Sequence, residues 1–338
     1  MKSRKGIFLT LLSLSIVLLV VILVKKSGIN SERELSAEQF RVIRLNNLLA
    51  DIKQNYLEMS LSTASHRALT SLSLYVSKKK SLFENFQYTF SNATLTGNIE
   101  ADTGAVNLDT ANGNNLMRGN TLSERMESIK ELVKKTYGSD LSIKINSISI
   151  LQASPWTVTP FMNVSIDLID TTSNWSINGI SISTDLDIDG YPDPSFNYKF
   201  EGKYANHFLR SKIPLDKWDT DLLNEHIKNG TYVYWGDEKA PSFLMRFTDS
   251  TQSSKCCGIS SLIDSKRLSD AGFSSGIISS IDYQFFSGLS CSEVKLYSIN
   301  SVKSEYQPLY MDSEYIGKYN LAVADTEEAC PAPAVDGG

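Results

Sequence analysis

Asp185-Leu186-Asp187-Ile188-Asp189-Gly190 puts carboxylates at the first, third and fifth positions of a calcium-loop pattern and glycine at the sixth. Asp193 falls at the ninth. Oxygen donors at that spacing suit a hard cation. Two features oppose it. Phe196 stands where the loop needs a bidentate Glu, and Pro192 and Pro194 fall inside it. The same residues also read as a strand, because Ile180, Ile182, Thr184, Leu186 and Ile188 alternate with polar residues. That reading turns the aspartates to water and explains more positions. Weak calcium binding by Asp185, Asp187, Asp189 and Asp193 is the alternative.

Other chemical signals are thinner. Gly272-Phe273-Ser274-Ser275-Gly276 matches the hydrolase elbow pattern, but polar residues precede it where a buried strand is required. His66, His207 and His226 are the only histidines, at spacings that fit no zinc motif. His226 lies near a helix end, where a cation is favoured. No catalytic constellation emerges, and the reading is non-enzymatic. Net charge is −5, and the basic run Lys78-Lys79-Lys80 reads as a solvated helix end, so nucleic acid is not an expected partner.

Cys256, Cys257, Cys291 and Cys330 make an even set in the last third of the chain. In an oxidising compartment they suggest two disulfides. A vicinal Cys256–Cys257 bond is the most constrained pairing. The expectation is therefore that Cys256 and Cys257 reach separately to Cys291 and Cys330, each bridge adding about 3–4 kcal/mol. A four-thiolate metal site and free buried thiols are the alternatives. The sequons headed by Asn92, Asn163, Asn174 and Asn229 permit secretion without arguing for it.

The elements that would position these residues follow from periodicity. Ser31 and Glu34 form a capping box for a long amphipathic helix. Its stripe runs through Leu45, Leu48, Leu49, Ile52, Tyr56 and Met59. The stripe packs on the protein's own body or, alternatively, on a partner helix, so the 31–60 region is a candidate oligomer or surface-protein seam. Arg67 to Lys79 continues helical. Residues 81–120 read as an exposed, loop-rich segment with room for one hairpin. Thr121 and Glu124 cap a helix that Gly138 ends. Three strands follow, the first shifted in phase by a bulge near Asn146-Ser147. They predict an antiparallel meander with the 121–137 helix on its apolar face. Beyond it come a helix over Asp221–Lys228, a strand over Thr231–Trp235, a buried apolar stretch Ala240–Phe247, and strands over Ile281–Phe286 and Tyr319–Val323. Residues 326–338 read as a flexible tail.

Ile7 to Val24 is an unbroken apolar run flanked by Lys2, Arg4 and Lys5 on one side and Lys25 and Lys26 on the other. As a helix it is about 27 Å long, enough to span a bilayer core. The charge bias places the amino terminus inside and the bulk outside. No small-residue cleavage pattern follows the run, which favours a signal anchor over a cleaved signal. Arg4-Lys5-Gly6-Ile7-Phe8 resembles the leader of type IV pilin-like proteins, which are cut after the glycine. That resemblance implies cleavage between Gly6 and Ile7 and assembly through the apolar helix. Leu11 stands where many bacterial pilins carry Glu.

Four further segments resemble a group of archaeal single-pass membrane-anchored proteins. They are Gly190-Tyr191-Pro192-Asp193-Pro194, Ala240-Pro241-Ser242-Phe243-Leu244-Met245-Arg246, Gly258-Ile259-Ser260-Ser261-Leu262-Ile263 and Ile281-Asp282-Tyr283-Gln284-Phe285-Phe286-Ser287. The resemblance implies architecture and location, not chemistry. The expected fold is α+β: a transmembrane helix over 7–24 behind a cytoplasmic leader over 1–6, helices over 25–80, an extracytoplasmic α+β domain over 121–325, and a β-rich carboxyl-terminal part. The expected role is a membrane-anchored surface or envelope protein with structural or adhesive contacts. A pilin-like subunit and a ligand-sensing domain working with a membrane partner are the alternatives.

Overall fold

The computed structural model describes residues 37–101, 104–236, 239–274, 276–322 and 326–330. The apolar run Ile7–Val24, the Gly6-Ile7 junction, the Ser31–Glu34 capping box and positions 331–338 lie outside the described residues. Among the described residues, no helix is long and apolar enough to cross a membrane. The chain divides into two compact units, Met1–Ile52 with Thr171–Ser173, and Lys53–Asp170 with Asn174–Gly338.

In the first unit, helix α1 spans Ala37–Asp51 and buries Leu45 and Leu49. Phe40 and Ile43 stay exposed, at 51% and 43%. The chain then makes a π-turn over Ile52–Tyr56 and continues as α2, Leu57–Lys79. A π-turn closes i to i+5 bonds and so breaks the α-helical repeat. In the first unit Leu45, Leu49 and Ile52 are buried, and in the second the buried series begins at Leu57. Met59, expected on the buried face, is 63% exposed, and Leu61, Ala64, Ala68 and Leu72 carry the stripe onward.

In the second unit, α2 packs against α3, Phe86–Thr96, where the sequence predicted exposed loop. Asn85 caps α3 by accepting from the Tyr88 amide, and Phe86, Phe90 and Ala93 face the core. The expected hairpin exists as β1 (Asn98–Ala101) and β2 (Gly104–Asn107), followed by the short α4, Leu108–Asn112. Most of the 81–120 segment is thus structured. Two of its asparagines and two of its glycines serve as caps: Asn85 and Asn107 start helices, and Gly97 and Gly113 end them.

Helix α5, Leu122–Tyr137, begins at the Thr121–Glu124 capping box and ends at Gly138, whose φ of 72° suits glycine. It packs on β3, Asp140–Ser154, with Met126, Ile129 and Val133 buried. Strands β4 (Thr157–Ile169) and β5 (Asn174–Ser183) complete the antiparallel meander, and β6 (Leu186–Asp187) pairs with β4. The register shift falls between Ile145 and Ser147, at the expected bulge. Val158, Met162, Val164, Ile166 and Leu168 of β4 point into the core. On the outer face, register aligns Ser142 with Asp167 and Ser176, and Ser147 with Asn163 and Ser181, a polar and solvated surface.

Short elements build the remainder: α6 (Pro194–Lys199), α7 (Thr220–Asn229), a 3-10 turn (Leu244–Thr248), α8 (Ser265–Asp270) and α9 (Asp282–Ser287). They are followed by β7 (Leu296–Ile299), β8 (Tyr310–Asp312), α10 (Ser313–Lys318) and β9 (Thr326–Glu328), which closes the β8-β7-β9 sheet. Three sequence expectations change here. Ile281–Phe286 is mostly helix α9, ended by left-handed Gly288, and its aromatics divide between two clusters, Tyr283 in one and Phe285 and Phe286 in the other, instead of alternating across a sheet. Thr231–Trp235 makes only isolated bridges at Tyr232 and Val233. The chain from Tyr319 to Ala322 follows α10 without strand pairing. Two apolar clusters hold this unit. One centres on stacked Phe86 and Phe247, with ring centroids 4.4 Å apart. The other surrounds Trp218 and Tyr319, whose rings meet edge to face at 4.9 Å.

Candidate functional site

Arg246 sits on the 3-10 turn inside an otherwise apolar stretch and is fully buried. A buried guanidinium is costly unless its donors meet acceptors and its charge meets a counter-charge. Here Nη1 donates to Asp193 Oδ2 at 2.8 Å, and Nη2 donates to the Ile259 carbonyl at 2.7 Å. Nη2 also lies 2.9 Å from Asp282 Oδ2, an ion pair without the alignment of a good hydrogen bond. The guanidinium lies over the Phe208 and Tyr232 rings, 5.6 and 5.4 Å from their centroids. The Tyr232 hydroxyl donates to Asp193 Oδ2 at 2.7 Å, and Asn206 Nδ2 donates to the Tyr232 hydroxyl at 3.2 Å and the Gly230 carbonyl at 3.1 Å.

Local structure explains how each group arrives. Asp193 caps α6 through its other oxygen, which accepts from the Ser195 amide at 2.7 Å. Asp282 opens α9, and its Oδ1 accepts from the Tyr283 amide at 2.7 Å. The segments 190–194, 240–246, 258–263 and 281–287 each supply one group: Asp193, Arg246, the Ile259 carbonyl and Asp282. The sequence shows the segments but not their convergence.

Two carboxylates share one cation here. Burial raises Asp282 above the usual carboxylate range, and Arg246 only partly offsets it. Burial tends to lower Arg246, but Asp193 and Asp282 hold it above its ordinary value, so it stays charged. Burial, with the neighbouring Asp193, pushes Tyr232 well above the ordinary phenol range and keeps it a donor. Asp193, Arg246 and Asp282 are all at 0% exposure, so the cluster meets no solvent. Its chemistry is that of a pin joining four chain segments.

The calcium arrangement does not assemble. Asp185 accepts from Thr159 Oγ1 at 2.7 Å, and Asp187 accepts from the Asp189 amide at 2.9 Å and pairs with Arg210 at 3.7 Å. Asp189 accepts from the Arg210 amide at 2.9 Å. Asp193 has turned inward to Arg246. Among the described residues, no group of three or more His, Cys, Asp or Glu is placed to hold a metal ion. Strand alternation sends Leu186 and Ile188 inward and Asp185, Asp187 and Asp189 outward, while Pro194 starts a helix where a calcium loop would continue.

The cysteines also depart from expectation. Cys256 bonds Cys257, and Cys291 bonds Cys330. The β7–β9 pairing explains the second bridge, because Ala329 donates to the Leu296 carbonyl and carries Cys330 beside Cys291. This bridge spans a sequence separation of 39, so chain-entropy accounting assigns it about 4 kcal/mol. The vicinal bond, at a separation of 1, restrains almost no chain and gains about 1 kcal/mol on the same account. Cys256 is exposed and Cys257 fully buried. The next residue, Gly258, is pressed against the Ala240 carbonyl. A Cβ there would lie 2.1 Å from that oxygen. Gly258→Ala is therefore expected to cost about 2–3 kcal/mol, read as a lowered denaturation midpoint.

His226 is not a helix-end cation. It is fully buried among Trp218 and Tyr319, and burial pushes it down to about 3. Its Nδ1 bonds Thr231 Oγ1 at 2.5 Å and its Nε2 bonds the Tyr319 hydroxyl at 3.2 Å. His66 bonds the Tyr191 hydroxyl, and burial together with Arg67 lowers it. In the glycine–serine pattern at 272–276, α8 precedes where an elbow needs a strand, and Ser275 lies outside the described residues. A cleft of about 990 Å³ lies between Phe83, Tyr88, Ile99 and Val106, and its described lining holds no histidine or cysteine. No known protein family, curated protein or solved structure matches this chain.

Proposed function

We propose that this chain is a membrane-anchored protein whose α+β body works outside the cytoplasm, in structural or adhesive contacts. The observation that carries this reading is the cysteine pairing: all four thiols are in disulfides, with none free. Such bonds persist in oxidising compartments and are rare in reducing ones. The apolar run Ile7–Val24 with its basic flanks supplies an anchor and the orientation. The polar outer face of β3–β5 is a surface that tolerates full solvation. Pilin-like assembly is a second reading, favoured by Lys5-Gly6-Ile7 ahead of an apolar helix.

Membrane-impermeant amine label, applied to intact cells producing the full chain, is expected to reach body lysines such as exposed Lys134 and Lys144. Labelling that requires lysis would reject the extracytoplasmic placement. An amino terminus at Ile7 in the purified protein would move pilin-like assembly to the front.

A further inference from the structure

The geometry points to Cys256–Cys257 as a site of thiol–disulfide exchange with a dithiol reductant, Cys256 being the sulfur attacked. The inference rests on the bridge and its surroundings, not on the proposed location.

Four observations carry it. The bridge joins adjacent residues, so it closes a ring of eight atoms and confines no loop. Its two sulfurs differ in access, Cys256 being exposed and Cys257 fully buried. An incoming thiolate therefore reaches only one of them. The Gln152 carbonyl lies 3.5 Å from both sulfurs. That distance is within reach of an S–H donor, so a hydrogen-bond acceptor stands beside the pair once the sulfurs separate. Lastly, the bridge adjoins the segments that seat Arg246. The Gln152 side chain accepts from the Leu244 amide at 3.1 Å, at the start of the turn bearing Arg246, and Ile259, two residues past Cys257, accepts from Arg246 itself.

The exchange balances as follows. A thiolate of the reductant attacks Cys256 Sγ and the Cys256–Cys257 bond breaks. The electron pair leaves on Cys257 Sγ, which takes a proton. The reductant's second thiolate then attacks the mixed disulfide and releases Cys256 as a thiolate, which is protonated in turn. The protein gains two electrons and two protons, and the reductant becomes a cyclic or intramolecular disulfide. Cys291–Cys330 differs in loop length, access and role. It closes a span of 39 residues, both its sulfurs are half-buried, and it fastens β9 to β7.

The test uses the full chain in mild detergent under native conditions. It is exposed to graded dithiothreitol, alkylated, and mapped by peptide mass spectrometry. Cys256 and Cys257 are expected to take label at about a hundredfold lower dithiothreitol than Cys291 and Cys330, the ratio that the difference in closed-loop length implies. A brief exposure to glutathione is expected to leave the adduct on Cys256 at least tenfold more often than on Cys257. Opening of both bridges at one concentration, opening of the vicinal pair only when denaturant is added, or an adduct mainly on Cys257 would each overturn the inference.

Discussion

Arg246→Ala lowers the melting temperature by about 5–8 °C. Removing one member of a buried ion pair leaves the other charge desolvated and unpaired, a loss of about 3–5 kcal/mol. For a unit of this size, the per-residue unfolding entropy converts that loss into the stated shift. The effect is large here because one side chain serves three oxygen partners and two rings: Asp193, Asp282, the Ile259 carbonyl, and the ring faces of Phe208 and Tyr232. Arg246→Lys should recover little, since a single ammonium cannot reach Asp193, Asp282 and Ile259 together. The informative companion is the triple variant Arg246→Met, Asp193→Asn, Asp282→Asn. It removes all three charges, while asparagine retains the α6 cap at 193 and, at 282, an acceptor for the Tyr283 amide. If unpaired buried charge is the cause, the triple variant melts above Arg246→Ala despite carrying more substitutions. Equal melting temperatures for wild type and Arg246→Ala, in the full chain, would show that the ion pairs contribute nothing.

That cluster also marks where sequence reading stops. The β3–β5 meander and α5 were legible because their signals are local: alternation along each strand, Thr121 with Glu124 at one helix end and Gly138 at the other. Even the bulge beside Asn146 announced itself as a phase slip. Asp193, Arg246 and Asp282 carry no such signal, since Asp193 and Arg246 alone are 53 residues apart. One clue was available. A single arginine within Ala240–Phe247, otherwise apolar, must either break the run or find a buried partner. Asp193 entered the alternative calcium reading because Asp-x-Asp-x-Asp-Gly is a familiar spacing, when its position before Pro194 already described a helix cap. Helix α3 was missed for a related reason: Asn and Gly were taken for loop, although at 85, 97, 107 and 113 they are the starts and stops of helices. The vicinal disulfide was discounted on strain, which weighs the bond and ignores which partners the fold brings within reach. Met59 was misplaced because a π-turn over Ile52–Tyr56 breaks the helical repeat, and apolar spacing alone favours Tyr56, four residues after Ile52, over Leu57.

His226 gives the second large effect, and its sign is fixed by burial. The native pKa is pushed down to about 3, below the ordinary value of 6.5. A histidine depressed in the folded state contributes stability that is present above the unfolded pKa and is lost as pH falls from about 6.5 toward 3. Full protonation of the unfolded chain would cost the fold about 5 kcal/mol. Between pH 7.5 and pH 5 the share is about 2 kcal/mol. Asp282 acts in the opposite sense: raised by burial, it favours the fold at low pH and loses that contribution as pH rises. A pH scan of the wild type therefore mixes both groups, and the comparison must be made against His226→Gln, which keeps polar contact with Thr231 and Tyr319 but cannot titrate. Chemical denaturation of the full chain at pH 7.5 and pH 5 is expected to show a stability loss about 2 kcal/mol larger in wild type than in His226→Gln. Equal losses in the two proteins would mean that His226 is solvated enough to take its proton in the folded state. The edge-to-face contacts with Trp218 and the bond to the Tyr319 hydroxyl leave no room for that, because a charged imidazolium there would have one phenol oxygen and one threonine hydroxyl as its whole solvent.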